Sequence, residues 1–206
     1  MPRHVDHEQR RLEIVRATME IVAERGTRGL SFRAVASRMG GSTTLITHYF
    51  PTQQALIDEV AATAVKLWDN QIRELDAQSD DPFRRLYNLL VWLVPTTDDG
   101  LAGERSRINL LSGQILGEEN RATFETWDTT IRGFLRSHLE GLVPPGDVER
   151  TVELLRVTTN GVVLSVVEHP DSWPTERQLA VIDGVLQLLG LTSKPADGKS
   201  RSRARR

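Results

Sequence analysis

No cysteine occurs anywhere in the chain, which excludes disulfides and thiolate metal sites. No apolar run approaches the length needed to span a bilayer. The opening "MPRHVDHEQRR" is polar, with no apolar signal-peptide core behind it. A bacterial-type cytoplasmic protein without a membrane partner is therefore expected. Catalytic signatures are missing as well: there is no Gly-rich phosphate loop, no HExxH and no GxSxG. His4 and His7 have the spacing of a metal pair, but they lie in an arm expected to be floppy. Carboxylates are scattered, as on a solvated surface. No catalytic residue, cofactor or metal is expected.

What the chain does have is an uneven charge. Residues 1–56 carry 8 Arg against 5 Asp/Glu, a balance of +3. Residues 57–193 carry a balance of −10, and the tail "KPADGKSRSRARR", 194–206, returns to +5. Basic ends joined to an acidic body suit a protein whose ends meet a polyanion. Simple drift of surface charge is the alternative. At 206 residues and 39% hydrophobic content, the chain has enough apolar surface for one core or two small ones.

Nearly all of it reads as helix. In "RRLEIVRATMEIVAERG", Leu12, Val15, Met19 and Val22 recur at helical spacing, and Gly26 and Gly29 end the run. A long helix is expected from Thr52 to about Ala77. "DPFRRLYNLLVWLVP" has Pro82 in its first turn and Pro95 at its end. Four further segments, each bounded by Gly, Pro, Asp or Asn, bring the expectation to about nine helices and no strand. The β-branched run 162–167 continues a helical pattern. The tail is expected to be disordered.

The informative stretch is 31–50, "SFRAVASRMGGSTTLITHYF". Ser31 is a good N-cap, and Phe32, Val35, Ala36 and Met39 fall on one helical face behind it. Gly40 and Gly41 make a turn. Ser42 caps a second short helix with Leu45, Ile46, Tyr49 and Phe50 inward, and Pro51 stops it. Isolated helices this short are marginal in water. Two of them across a glycine turn make a helix-turn-helix, with the first long helix as the third wall of its core. Thr43, Thr44, Thr47 and His48 are left outward. Small hydroxyls and a histidine suit close entry into a DNA groove, and no acidic residue occurs between Phe32 and Gln54.

With "AERGTRGLSFRAVASRMGGS" and the exit "HYFPTQQAL", residues 10–60 resemble the tetracycline-repressor (TetR) family of bacterial transcription regulators. The resemblance implies that the second short helix is the recognition helix and that the aromatic-proline exit leads into a long connecting helix. It implies a DNA-binding set of Arg33, Ser42, Thr43, Thr44, Thr47, His48 and Tyr49. In that set Thr43, Thr44 and Thr47 would approach bases or phosphates, Tyr49 would reach a phosphate and Arg33 would sit near the backbone. Two departures weaken the expected phosphate contact: Thr47 stands where the family usually has an aromatic, and Gln53 where it usually has a lysine. The basic tail is a candidate for compensating contact, with a solubilising role as the alternative.

The body resembles the family's variable effector domain only weakly. Its last two long helices carry two apolar faces each. Val152, Leu155, Thr159, Val162 and Val166 line one face of the first, and Leu154, Val157, Gly161 and Leu164 the other. In the second, Leu179, Ile182, Leu186 and Leu189 oppose Val181, Val185 and Leu188. A surface helix needs only one apolar face, so a subunit interface or a deeply buried sandwich is implied. Dimerisation through the last two helices, as the resemblance implies, is assigned to Leu155, Val162, Val166, Leu179, Ile182, Leu186 and Leu189. Aromatics and isolated polar residues in apolar helices have the makings of a small-molecule chamber, with ordinary core as the alternative. Its candidate residues are Trp92, Arg107, Gln114, Trp127 and Thr159.

The sequence thus predicts an all-α protein. A helix-turn-helix head (1–56) joins, through a long helix, a helical effector-binding and dimerisation domain (57–193), followed by the tail (194–206). The expected function is a ligand-responsive, homodimeric repressor released from a palindromic double-stranded DNA operator by a small molecule. The alternatives are an architectural DNA-binding protein and a helical enzyme with a vestigial head.

Overall fold

The computed structural model describes residues 7–26, 29–113 and 118–192. Gln114, His4 and the tail 194–206 lie outside them. The described residues form nine α-helices and no strand: α1 (His7–Arg25), α2 (Phe32–Arg38), α3 (Thr43–Tyr49), α4 (Gln53–Asp76), α5 (Pro82–Trp92), α6 (Asp98–Gly113), α7 (Glu118–Leu139), α8 (Val148–Glu168) and α9 (Thr175–Leu188). Among the described residues, no helix is long and apolar enough to cross a membrane.

The short helices are defined by their caps. Ser31 is extended, and its side chain accepts from the Ala34 amide at 3.1 Å. At the other end Gly40 takes φ +63°, and the amides of Gly40 and Gly41 donate to the carbonyls of Ser37 and Ala36 at 3.2 and 2.9 Å. This closes the Schellman pattern that a residue with a Cβ would strain. Ser42 and Thr52 cap α3 and α4 in the same way, through the amides of Leu45 and Ala55.

Packing then holds what local propensity cannot. Val35, Ile46, Phe50 and Leu56 are buried against Ile14, Val15, Ile21 and Val22 of α1, forming a core separate from that of the body. Each such side chain contributes about 1.5–3 kcal/mol of burial. The stripe on α1 differs from the expected one. Leu12 is 45% exposed, while Ile14, Thr18 and Ile21 join Val15 and Val22 inside. Thr18 is tolerated there because its hydroxyl donates to the Ile14 carbonyl at 2.8 Å.

The body packs α5, α7, α8, α9 and the distal part of α4 around Ile72, Leu86, Leu89, Leu90, Leu135, Leu155, Val162 and Ile182. Polar ties fix the register of the outer helices. Arg136 on α7 binds Glu149 near the start of α8 with two nitrogens, at 2.5 and 2.9 Å. The ring of His138 on α7 lies 2.8 Å from Asp76 at the end of α4. Two elements link head and body: α4 belongs to both cores, and α6 packs on α1 and on α8.

Candidate functional site

The head presents α3 outward. Ile46 is fully buried and Phe50 nearly so, which leaves Ser42, Thr43, Thr44, Thr47 and His48 exposed on the opposite side, with Arg33 exposed on α2. Tyr49 is half-buried. Its hydroxyl lies 3.0 Å from His7 Nδ1 and its ring meets His48 edge-to-face at 5.2 Å. Neither α2 nor α3 contains a carboxylate.

The basic residues of the head divide by partner. Arg38 is held at 3.1 Å from Glu20 and 2.5 Å from Glu24, so it ties α2 to α1. Those hydrogen bonds raise the Arg38 guanidinium above its ordinary value and lower the Glu24 carboxyl below its own. Arg11 pairs with Glu59 and lies 4.6 Å above the Phe50 ring, joining α1 to α4. Gln53 also has a structural partner, donating to the Leu30 carbonyl at 3.2 Å.

The body contains a cavity of about 300 Å³. Trp68 of α4 and Trp92 of α5 form one side, and Phe124, Trp127, Asp128 and Ile131 of α7 another. Glu104 and Arg107 of α6 and Arg156, Asn160 and Val163 of α8 complete it. Of the expected chamber residues, Trp92, Arg107 and Trp127 are on the wall. Thr159 is not: it is buried in the core, its hydroxyl donating to the Arg156 carbonyl at 3.0 Å, and its neighbour Asn160 faces the cavity instead. Asp128 and Arg156 were not singled out from the sequence, because nothing in a linear pattern pairs residues 28 positions apart. Asp128 receives Arg132 at 2.5 Å and Arg156 at 2.7 Å. Burial alone would raise its carboxyl, but the two arginines outweigh burial and hold it below the ordinary range.

Most of the residues expected at a subunit interface are buried within the protomer. Leu155, Val162, Val166, Ile182 and Leu186 are buried within the protomer, and Leu189 packs against the same core. Leu179 is half-buried. The five buried side chains have little surface left for a second copy, whereas Leu179 and Leu189 keep part of theirs. The exposed apolar residues of the two helices are on their other faces: Leu154, Val157 (65% exposed) and Leu164 on α8, and Leu188 (89% exposed) on α9.

Residues 14–60 match the family of bacterial regulatory proteins described as the tetR family. The HTH-type transcriptional regulator PksA of Bacillus subtilis is 35% identical over 103 residues, 48% of this chain and 48% of that protein. The chain spans about half the length of the curated relatives it matches. A transcriptional regulator from Rhodococcus sp. Rha1 has the same fold, with TM-score 0.76 at 22% identity over 90% of this chain and 98% of that one. A regulator structure from Saccharomonospora viridis, in complex with choline, follows at TM-score 0.70 and 19% identity, over 88% and 97%. The head is thus similar to the tetR family of bacterial regulatory proteins over residues 14–60, and the helical chain as a whole shares its fold with solved transcriptional regulators.

Proposed function

We propose that the protein is a ligand-responsive repressor. Two copies bind a palindromic operator through α3, and a small molecule in the body cavity releases them. The observation that carries this reading is the pairing of a carboxylate-free outward α3 with an aromatic-walled cavity, through helices shared by both. Helix α4 buries Leu56 and Ile57 in the head and places Trp68 on the cavity wall. Helix α6 packs on α1 and contributes Glu104 and Arg107. A ligand that changes the spacing of the cavity walls therefore acts on two levers that reach the head. By linkage, it releases DNA only to the extent that it prefers the unbound arrangement. The choline held by a protein of the same fold supports the view that such bodies accommodate small molecules.

Pairing of two protomers is assigned to the exposed faces of α8 and α9, around Val157, Leu164 and Leu188. Large apolar side chains left exposed on two neighbouring helices support an association site there. The test is footprinting on DNA fragments selected from the genome by the purified protein, with Thr44→Glu as control. A two-fold symmetric site, protected by the parent and not by the variant, supports the reading. Length-dependent, sequence-blind coating would favour an architectural protein instead.

A further inference from the structure

Much of the cavity wall is electron-rich. Trp92, Trp68, Trp127 and Phe124 follow one another along the wall, with centroids 6.3, 5.6 and 5.4 Å apart and planes at 78°, 62° and 90°. Steep angles between neighbours make the sides of a box rather than a flat stack. The indole N–H groups of Trp92 and Trp127 already donate to Gln71 and to the Ala61 carbonyl, so these two rings offer only carbon to the cavity. The Asn160 side-chain oxygen is buried with no hydrogen-bond partner among the described residues.

The two cations on the wall are each neutralised by a carboxylate that is also on the wall. Arg107 lies 2.6 Å from Glu104, and Arg156 lies 2.7 Å from Asp128. An anion that met the remaining N–H groups of either arginine would also face, at close range, the carboxylate already bound to it. A cation displaces nothing. Aromatic faces attract it through their quadrupole, and the −10 balance of residues 57–193 favours its approach.

We propose that the cavity binds a compact organic cation, a tertiary or quaternary ammonium boxed by Trp68, Trp92, Trp127 and Phe124. One hydroxyl or N–H donor on the ligand reaches Asn160 Oδ1. The proposal rests on the reading of this cavity as the effector site and names the effector's class. A donor at Asn160 satisfies an acceptor that is otherwise desolvated without compensation.

Calorimetric titration of the full chain without DNA tests it, with four probes: choline, tetramethylammonium, acetate, and 3,3-dimethylbutanol, the uncharged isostere of choline. Choline should bind about tenfold or more tighter than its isostere, the scale of a desolvated cation–aromatic contact. Trp68→Leu should lose about tenfold for both cations, and Trp68→Phe should keep most of the affinity. Asn160→Leu should weaken choline several-fold and leave tetramethylammonium unchanged. Melting curves check that each variant is folded. Equal or tighter binding of the isostere, binding of acetate, or no binding of either cation at millimolar concentration overturns the proposal. Release of operator DNA by an anionic effector would also refute the cation while leaving the regulator reading intact.

Discussion

Thr44 is exposed on α3, and the proposed function has α3 meet DNA. Thr44→Glu should abolish operator binding with little change in melting temperature, because a carboxylate there meets phosphates but disturbs no core. Gel-shift titration beside thermal melting checks both halves of the statement. Ile46, one residue beyond its neighbour Leu45, has the opposite profile: its side chain is fully buried. Ile46→Ala should cost about 2–5 kcal/mol of stability, read by urea unfolding, and should weaken DNA binding only through loss of the folded head. Asp128 gives a third prediction. Its folded carboxyl is held below the ordinary aspartate value of about 3.9, so the stability it contributes is present above that pH and is lost as pH falls through the lower folded value. The difference in melting temperature between the parent and Asp128→Asn should be constant above about pH 5 and should shrink as acid protonates the parent. An unchanged difference down to pH 2 would remove Asp128 from the ion-pair network.

Among the elements, α2 and α3 were the most legible in sequence, because caps, spacing and the glycine turn all agree. Ser31, Gly40, Ser42 and Thr52 each occupy the role their chemistry suggests. Ser42→Ala should cost about 1 kcal/mol, and a helix of 7 residues has few bonds over which to absorb that. On α1 the spacing selected Leu12, which is exposed, because apolar periodicity registers Thr18 as a gap although its hydroxyl is satisfied inside the helix. The same limit is larger on α8 and α9. Two apolar faces per helix can be read from spacing, but not which face the protomer covers. The structure covers Leu155 and Ile182 and leaves Val157 and Leu188 in water. Val157→Arg or Leu188→Arg should therefore shift a dimer toward monomer without loss of helicity, since each remains solvated in the isolated protomer. Sedimentation at micromolar concentration decides it. A monomeric parent, or variants of unchanged dimer affinity, would contradict the assignment.

At the scale of the whole molecule, the division into a +3 head segment and a −10 body was visible in composition, and the structure supplies the connection between them. The cavity was legible only in part. Trp92, Arg107 and Trp127 attract attention alone, whereas Asp128, Arg156 and Asn160 gain meaning only once α7 and α8 are side by side. On the proposed function, with α4 and α6 as the link, operator DNA should weaken ligand binding by the same factor by which ligand weakens operator binding. The most direct measurement of the central claim is footprinting of the full chain on genomic DNA fragments that it selects. A protected palindrome is expected, its half-sites about one helical turn (~10 base pairs) or a multiple apart, with protection lost in Thr44→Glu. Protection that spreads with protein concentration regardless of sequence, or a footprint that Thr44→Glu leaves unchanged, would contradict it.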